Sequence, residues 1–325
     1  MSSNAPIVEE DAPLQERRPV GLPLVLFVIT CISTFYAGAA HWNPTGYMEL
    51  FFRNAAEHWS QHSPLAALSK AWLDATQTMS WPQGFSYMGV VMGLLLAHEM
   101  GHFLMTLRNR IPATLPFFIP MPIVPFGTLG AVIGMEGSQA NRRQVFDLGI
   151  AGPLAGFAVT LPVLWLGILQ LTNQPVAGHS FCFHNPLILQ YMIAWLRPGY
   201  PTPNVIYLNQ FNPFLMAGWV GLLVTGLNML PMSMLDGGHV AYALLGRRAH
   251  LLARALIVAA ILYIIASEAY FWVVFLVLVL LLGADHPPTA DDRCRLGWFR
   301  QILGWASLLI PLLCFPAGGI TPMGR

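Results

Sequence analysis

Residues Phe85–Leu107 read FSYMGVVMGLLLAHEMGHFLMTL. The run is long enough to cross a bilayer, which takes about 20 apolar residues. Yet His98, Glu99 and His102 sit inside it. Ionisable groups at bilayer depth cost at least roughly 2.5–3.5 kcal/mol each, so their presence demands a functional reason. Residues four apart share a helix face, so both imidazoles point the same way. The pattern His98-Glu99-Met100-Gly101-His102 is H-E-x-x-H. Two neutral imidazoles suit one Zn²⁺, and Glu99 beside that face can serve as base toward the water such a site activates. The bland alternative is two histidines and a glutamate hydrogen-bonded within a helix bundle.

The rest of the 325-residue chain agrees with a membrane setting. Charged residues make up 10%, against roughly 25% in soluble proteins. Hydrophobic residues make up 55%, and the net charge is +1. So apolar a chain is not disordered. Without a basic excess it has no means of releasing counterions from nucleic acid, and no nucleic-acid partner is expected. Cys31, Cys182, Cys294 and Cys314 lack the paired spacing of a disulfide framework or a metal knuckle.

Working outward, Leu22–Ala40 is a first span. Ala37-Gly38-Ala39 resembles a signal-peptidase site, but the long apolar stretch and acidic tail favour an uncleaved anchor. Val145–Leu171 and Pro213–Leu230 are further spans, and Trp298–Phe315 is the last. Leu251–Gly283 is too long for one span and reads as two, split at Ser267-Glu268. Between the first two, Glu49–Asp74 has the spacing of one amphipathic helix lying on the membrane. Ile111–Met135 is apolar too, but Pro112, Pro116, Pro120, Pro122 and Pro125 would break a helix. Its end, Thr128–Ile133, has strand character. Such backbone survives at membrane depth only when buried in protein or lining a wet cavity.

The expected fold is therefore an all-α polytopic membrane protein with about seven transmembrane helices and a re-entrant, strand-like loop near the active site. Residues 1–20 form an exposed tail. Residues 21–325 form one transmembrane domain with its catalytic core at about 85–246. Thr172–Asn212 reads as a loop too short for a second domain. In this topology Arg17, Arg18, Arg108, Arg110, Arg142, Arg143, Arg247, Arg248, Arg254, Arg293, Arg295 and Arg300 lie inside. Arg53, Lys70, Arg197 and Arg325 lie outside. That asymmetry fits the positive-inside rule and the re-entrant reading together.

Two histidines leave a zinc shell short by one protein ligand. The candidate is Asp236, in Asn228-Met229-Leu230-Pro231-Met232-Ser233-Met234-Leu235-Asp236-Gly237-Gly238-His239. In the predicted topology it reaches the same depth and side as His98 and His102. Pro231 and Gly237-Gly238 break helix regularity and free the backbone to present it. An alternative makes Asp236 the N-cap of the next helix. His239 is a rival ligand, ranked lower because it would leave Asp236 buried and unpaired.

The pairing of an apolar-span H-E-x-x-H with a later N-x-x-P-x(4)-D-G-G resembles the site-2 protease family of intramembrane zinc metalloproteases. The resemblance runs from about the second span to the fourth. It implies one zinc per chain on His98, His102 and Asp236, with Glu99 as general base. It places Asn228 and Pro231 near the substrate. It also implies that Phe126–Ile133, including Thr128 and Gly130, adds the substrate as a strand. The implied substrate is a single-pass membrane protein, and the implied setting is a lipid bilayer. With the basic asymmetry, a multi-pass protein of the inner cell membrane with its site near the cytosolic face is expected. Many relatives carry PDZ or CBS domains, for which this chain has no room. Rival readings are a proteolytically inactive adaptor or chaperone for transmembrane segments, and a metal transporter. The transporter would need polar groups along a whole path rather than at one depth.

Other features carry less. Gly152-Pro153-Leu154-Ala155-Gly156 fits close helix packing. Glu268 falls at a hairpin tip. His179, Cys182 and His184 have weak metal-site spacing. The loop His286-Pro287-Pro288-Thr289, followed by Asp291 and Asp292, has no role that the sequence derives.

Overall fold

The computed structural model describes residues 20–59, 63–134, 140–173, 181–232, 234–283 and 286–322. The expected tail therefore lies outside the described residues except for Val20, and so does His179. In chain order the elements are α1 (Gly21–Ala39), α2 (Pro44–Trp59), α3 (Pro64–Gln77), α4 (Trp81–Asn109), β1 (Phe117–Pro120), β2 (Thr128–Val132) and α5 (Arg142–Leu169). There follow β3 (Phe181–His184), α6 (Leu187–Leu196), β4 (Val205–Tyr207), α7 (Pro213–Asn228), α8 (Asp236–Leu245) and α9 (Arg248–Ser267). The chain continues with α10 (Val273–Leu282), α11 (Trp298–Ser307), α12 (Ile310–Cys314) and β5 (Ile320–Pro322).

Among the described residues, α1, α4, α5 and α9 are long and apolar enough to cross a membrane. α6, α7, α10 and α11–α12 are apolar but shorter. The break expected at Ser267-Glu268 is present: α9 stops where Glu268 takes a left-handed conformation with φ 54°. The helices carry the fold; β2 falls where strand character was expected, and the sheet of β3, β4 and β5 is an addition.

α4, α5 and α7 pack on one another, with α1 against α4 and α8 against α5. The sequence of α7 explains its central place. It is apolar all round, and Leu215–Leu223 is buried without interruption, as a helix enclosed on every side must be. Asn212 caps its start by accepting from the Leu215 N–H, and its amide donates to the Gly167 carbonyl of α5. α5 opens with a capping box between Asn141 and Gln144. Arg142 then donates to the carbonyls of Ala243 and Leu244, satisfying the C-terminal end of α8.

Two expectations are corrected. The single amphipathic helix over Glu49–Asp74 is two helices, α2 and α3, packed as a pair. Pro64 at the first turn of α3 is the start signal. The presumed loop Thr172–Asn212 contains β3, α6 and β4, and β3 pairs with β4 and with the distant β5.

The proline-rich stretch makes an antiparallel β1–β2 hairpin, with Phe118 opposite Ala131 and a bulge between Ile119 and Pro120. It is anchored from both sides. Ser33 of α1 donates to the Gly127 carbonyl and Tyr87 of α4 donates to the Phe126 carbonyl. Gly127 has φ +73°, and a Cβ there would lie 2.6 Å from the Ser33 carbonyl oxygen. Only glycine fits that turn. β1 holds one edge of β2, and no strand of the described residues holds the other.

Candidate metal centre

The site is built where α4, α5 and α8 meet. α4 supplies His98, Glu99 and His102, all buried, from one stretch of helix. The turn after α7 brings in Asp236 at the start of α8. Gly237 makes that turn close: a Cβ there would collide with the Met229 carbonyl. α5 contributes by having no side chains at the contact. A Cβ on Gly152 would fall on the His102 ring, and one on Gly156 would lie 3.1 Å from His98 Nδ1. One on Gly149 would lie 2.7 Å from the His239 Cβ. The glycine pair expected to serve close packing does so, and what it packs against is the two imidazoles.

His98 Nε2 and His102 Nε2 lie 3.2 and 3.3 Å from Asp236 Oδ2, and 3.3 Å from each other. His102 Nδ1 donates to the Leu148 carbonyl at 2.9 Å. A neutral His102 therefore has its lone pair on Nε2. Asn228 Nδ2 lies 3.2 Å from His98 Nε2. Two imidazole nitrogens and a carboxylate oxygen thus converge on one point, where a single cation would take all three as ligands. Two nitrogens and one oxygen suit zinc, with an open position left for chemistry. Among the described residues this trio is the one group that could hold a metal ion. Glu99 stands next to it, and its Oε2 is buried without a partner.

A cavity of about 590 Å³ opens on these residues. Asn228 lines it, as do Ala131, Val132, Ile133 and Gly134 at the end of the hairpin. Thr128 and Gly130 do not line it. The Thr128 hydroxyl is turned to the hairpin itself, donating to the Ile119 carbonyl and accepting from the Gly130 N–H. Pro231 sits in the turn behind Asn228, outside the lining.

The place of the 286–292 loop at this cavity was not foreseen. His239, His286 and Pro287 line the same cavity. His239 Nδ1 and His286 Nε2 are 2.6 Å apart, and the Tyr242 ring stacks on His286 at 4.5 Å. The loop is tied down by Tyr242 donating to Asp292, Thr289 donating to Asp292 and Ala290 donating to the Ala140 carbonyl. Burial pushes the His239 imidazole down to about 4, and the neighbouring His286 adds to that. Burial lowers His286 as well. The Thr289 hydroxyl holds the Asp292 carboxyl below its usual range. In the sequence, His239 stood out as a rival ligand and the 286–292 loop only through its unassigned titratable groups. Cys182 and His184, by contrast, belong to strand β3 and form no metal cluster among the described residues.

The comparisons with known proteins fit this geometry. The model of peptidase family M50 matches residues 86–267, more than half of the chain. "Probable zinc metalloprotease EGY1, chloroplastic" of Arabidopsis thaliana is 27% identical over 234 residues, covering 70% of this chain and 42% of that protein. The rice protein of the same name is 32% identical over 49% of this chain and 28% of its own length. "Probable zinc metalloprotease EGY2, chloroplastic" of Arabidopsis thaliana is 29% identical over 62% of this chain and 37% of its own. The chain thus spans less than half the length of these curated relatives. No solved structure matches it. With the candidate metal-ligand trio brought together and the family model covering the helices that build it, the chain belongs to peptidase family M50, the site-2 protease family that its two motifs resemble.

Proposed function

We propose that this chain is an intramembrane zinc metalloprotease that hydrolyses peptide bonds within or near the transmembrane segments of single-pass membrane proteins. The observation that carries this reading is the convergence of His98 Nε2, His102 Nε2 and Asp236 Oδ2 beside Glu99, whose Oε2 is buried without a partner among the described residues. The names of the relatives support both the metal and the reaction.

His98, His102 and Asp236 would hold one zinc per chain, which would supply a Lewis acid for the scissile carbonyl and for a water. Glu99 takes the proton of the attacking water on its free oxygen and delivers it to the departing amine. Leu148 fixes the His102 ring through Nδ1, so its Nε2 stays aimed at the site. Asn228, at the cavity wall, binds the extended substrate backbone. The free edge of β2 accepts the substrate as an added strand, with Thr128 and Gly130 setting the strand's shape and Pro231 the position of Asn228. The apolar helices and the basic asymmetry support a multi-pass protein of the inner cell membrane, with about seven spans, a re-entrant hairpin and the site near the cytosolic face.

The test is cleavage of a panel of single-pass substrates in liposomes by the wild type and by Glu99→Gln, with zinc measured in both. Cleavage lost in the variant with zinc retained supports the reading. Equal cleavage by both refutes the role of Glu99. Zinc-loaded wild type that binds the substrates without cutting them favours the adaptor reading.

A further inference from the structure

His239 and His286 form a second imidazole pair in the cavity, and hydrogen-bond accounting fixes their protons. His286 Nδ1 lies 2.5 Å from the Pro287 carbonyl, which can only accept, so His286 carries its proton on Nδ1. Neutral His286 then has its lone pair on Nε2. That atom faces His239 Nδ1 at 2.6 Å, so His239 Nδ1 is the donor. A neutral His239 is left with its lone pair on Nε2. No partner for that atom is found among the described residues. The arrangement is rigidly held: Tyr242 stacks on His286, and His250 Nε2 donates to the His286 carbonyl at 3.2 Å.

His239 is one turn beyond Asp236 on α8, on the same helix face. It lines the cavity together with the metal-ligand trio. This placement matters if the substrate is a peptide, and the inference rests on that reading. A peptide extended for cleavage loses its intrahelical bonds, and each buried N–H then needs an acceptor. Glu99 and Asp236 are committed to the proton and the metal. We propose that His239 is a further substrate-binding residue, whose Nε2 accepts a backbone N–H of the extended substrate, and that His286 is the positioning residue that fixes its tautomer.

The experiment uses the full chain, zinc-loaded, in detergent. Steady-state cleavage of a model single-pass substrate is measured for His239→Ala, His239→Gln, His286→Leu and His286→Gln. Binding of the same fluorescent-labelled substrate is measured in the Glu99→Gln background. Histidine ¹⁵N spectra report the tautomers. A hydrogen bond made equally in ground and transition states shows in KM and leaves kcat alone. His239→Ala and His286→Leu are therefore expected to raise KM and the binding constant roughly tenfold, as loss of one buried acceptor does. Their kcat and zinc content stay at wild-type values. The glutamine variants, whose Oε1 still accepts, restore KM to within about threefold. His239 in the wild type shows the Nδ1-protonated signature, and His286→Leu removes it. Unchanged KM and binding in His239→Ala overturn the proposal, and so does failure of both glutamine variants to restore it. Loss of zinc in His239→Ala overturns it too, by making His239 a metal ligand. Wild-type protein that neither cuts nor binds the substrate overturns the protease reading itself, and this inference falls with it.

Discussion

Two pairs of histidines face one cavity, and they solve opposite problems. His98 and His102 sit four residues apart on one helix, and their lone pairs point at each other and at Asp236. His239 and His286 sit 47 residues apart on a helix and a loop, and one donates to the other. The first pair is electrostatically incomplete and requires a cation. The second is complete and requires none. Identical side chains with different proton positions give a candidate metal-ligand set and a neutral polar pair lining the same cavity.

The contrast breaks most sharply at Asp236. Asp236→Ala removes the anionic ligand, and we expect zinc content to fall to background and cleavage with it, by metal analysis and a substrate assay. The His239–His286 pair, whose hydrogen bond does not involve that carboxylate, keeps its ¹⁵N signature. Glu99→Gln comes next. Zinc is retained while cleavage falls by ~10²–10⁴-fold, the usual worth of a general acid–base. Gly152→Ala tests the bare face of α5. The added methyl meets the His102 ring, and we expect zinc affinity to fall about 10–100-fold, as when the support of a ligand is disturbed. Competition with a chelator reads this out. Tyr242→Phe is the mildest. It deletes the hydroxyl bonded to Asp292 but keeps the stack on His286. Stability should drop by about 0.5–1.5 kcal/mol, by thermal or denaturant unfolding, with zinc content unchanged.

How legible each wall was in the sequence follows from the same contrast. His98, Glu99 and His102 were legible because a helix alone dictates that residues four apart share a face. Asp236 was legible through its Gly-Gly turn and a family resemblance. Nothing local marks His286, since its partner lies across the fold and its position depends on bonds to α5, α8 and α9. The same reason hid β3, whose partners are β4 and a strand some 140 residues on. Short strands take their register from such neighbours rather than from their own residues. The α2–α3 division did have a local signal in Ser63-Pro64, outweighed by apolar spacing that runs through it. Gly152 and Gly156 read correctly as packing residues, but a glycine does not say what it packs against. Thr128 and Gly130 belong to the expected strand, yet the cavity takes its lining from the residues after them, because the bulge and the pinned turn set where the hairpin meets the site.

The position of the His286-Pro287 wall has a pharmacological consequence. The family match ends at residue 267, and this loop lies beyond it. An inhibitor built only as a chelating group on His98, His102 and Asp236 meets residues of the shared core and has little basis for discrimination. One lengthened by a few atoms to rest on Pro287 touches a surface supplied from outside that core. Selectivity within the family is then sought at the Pro287 end of the lining rather than in tighter metal binding.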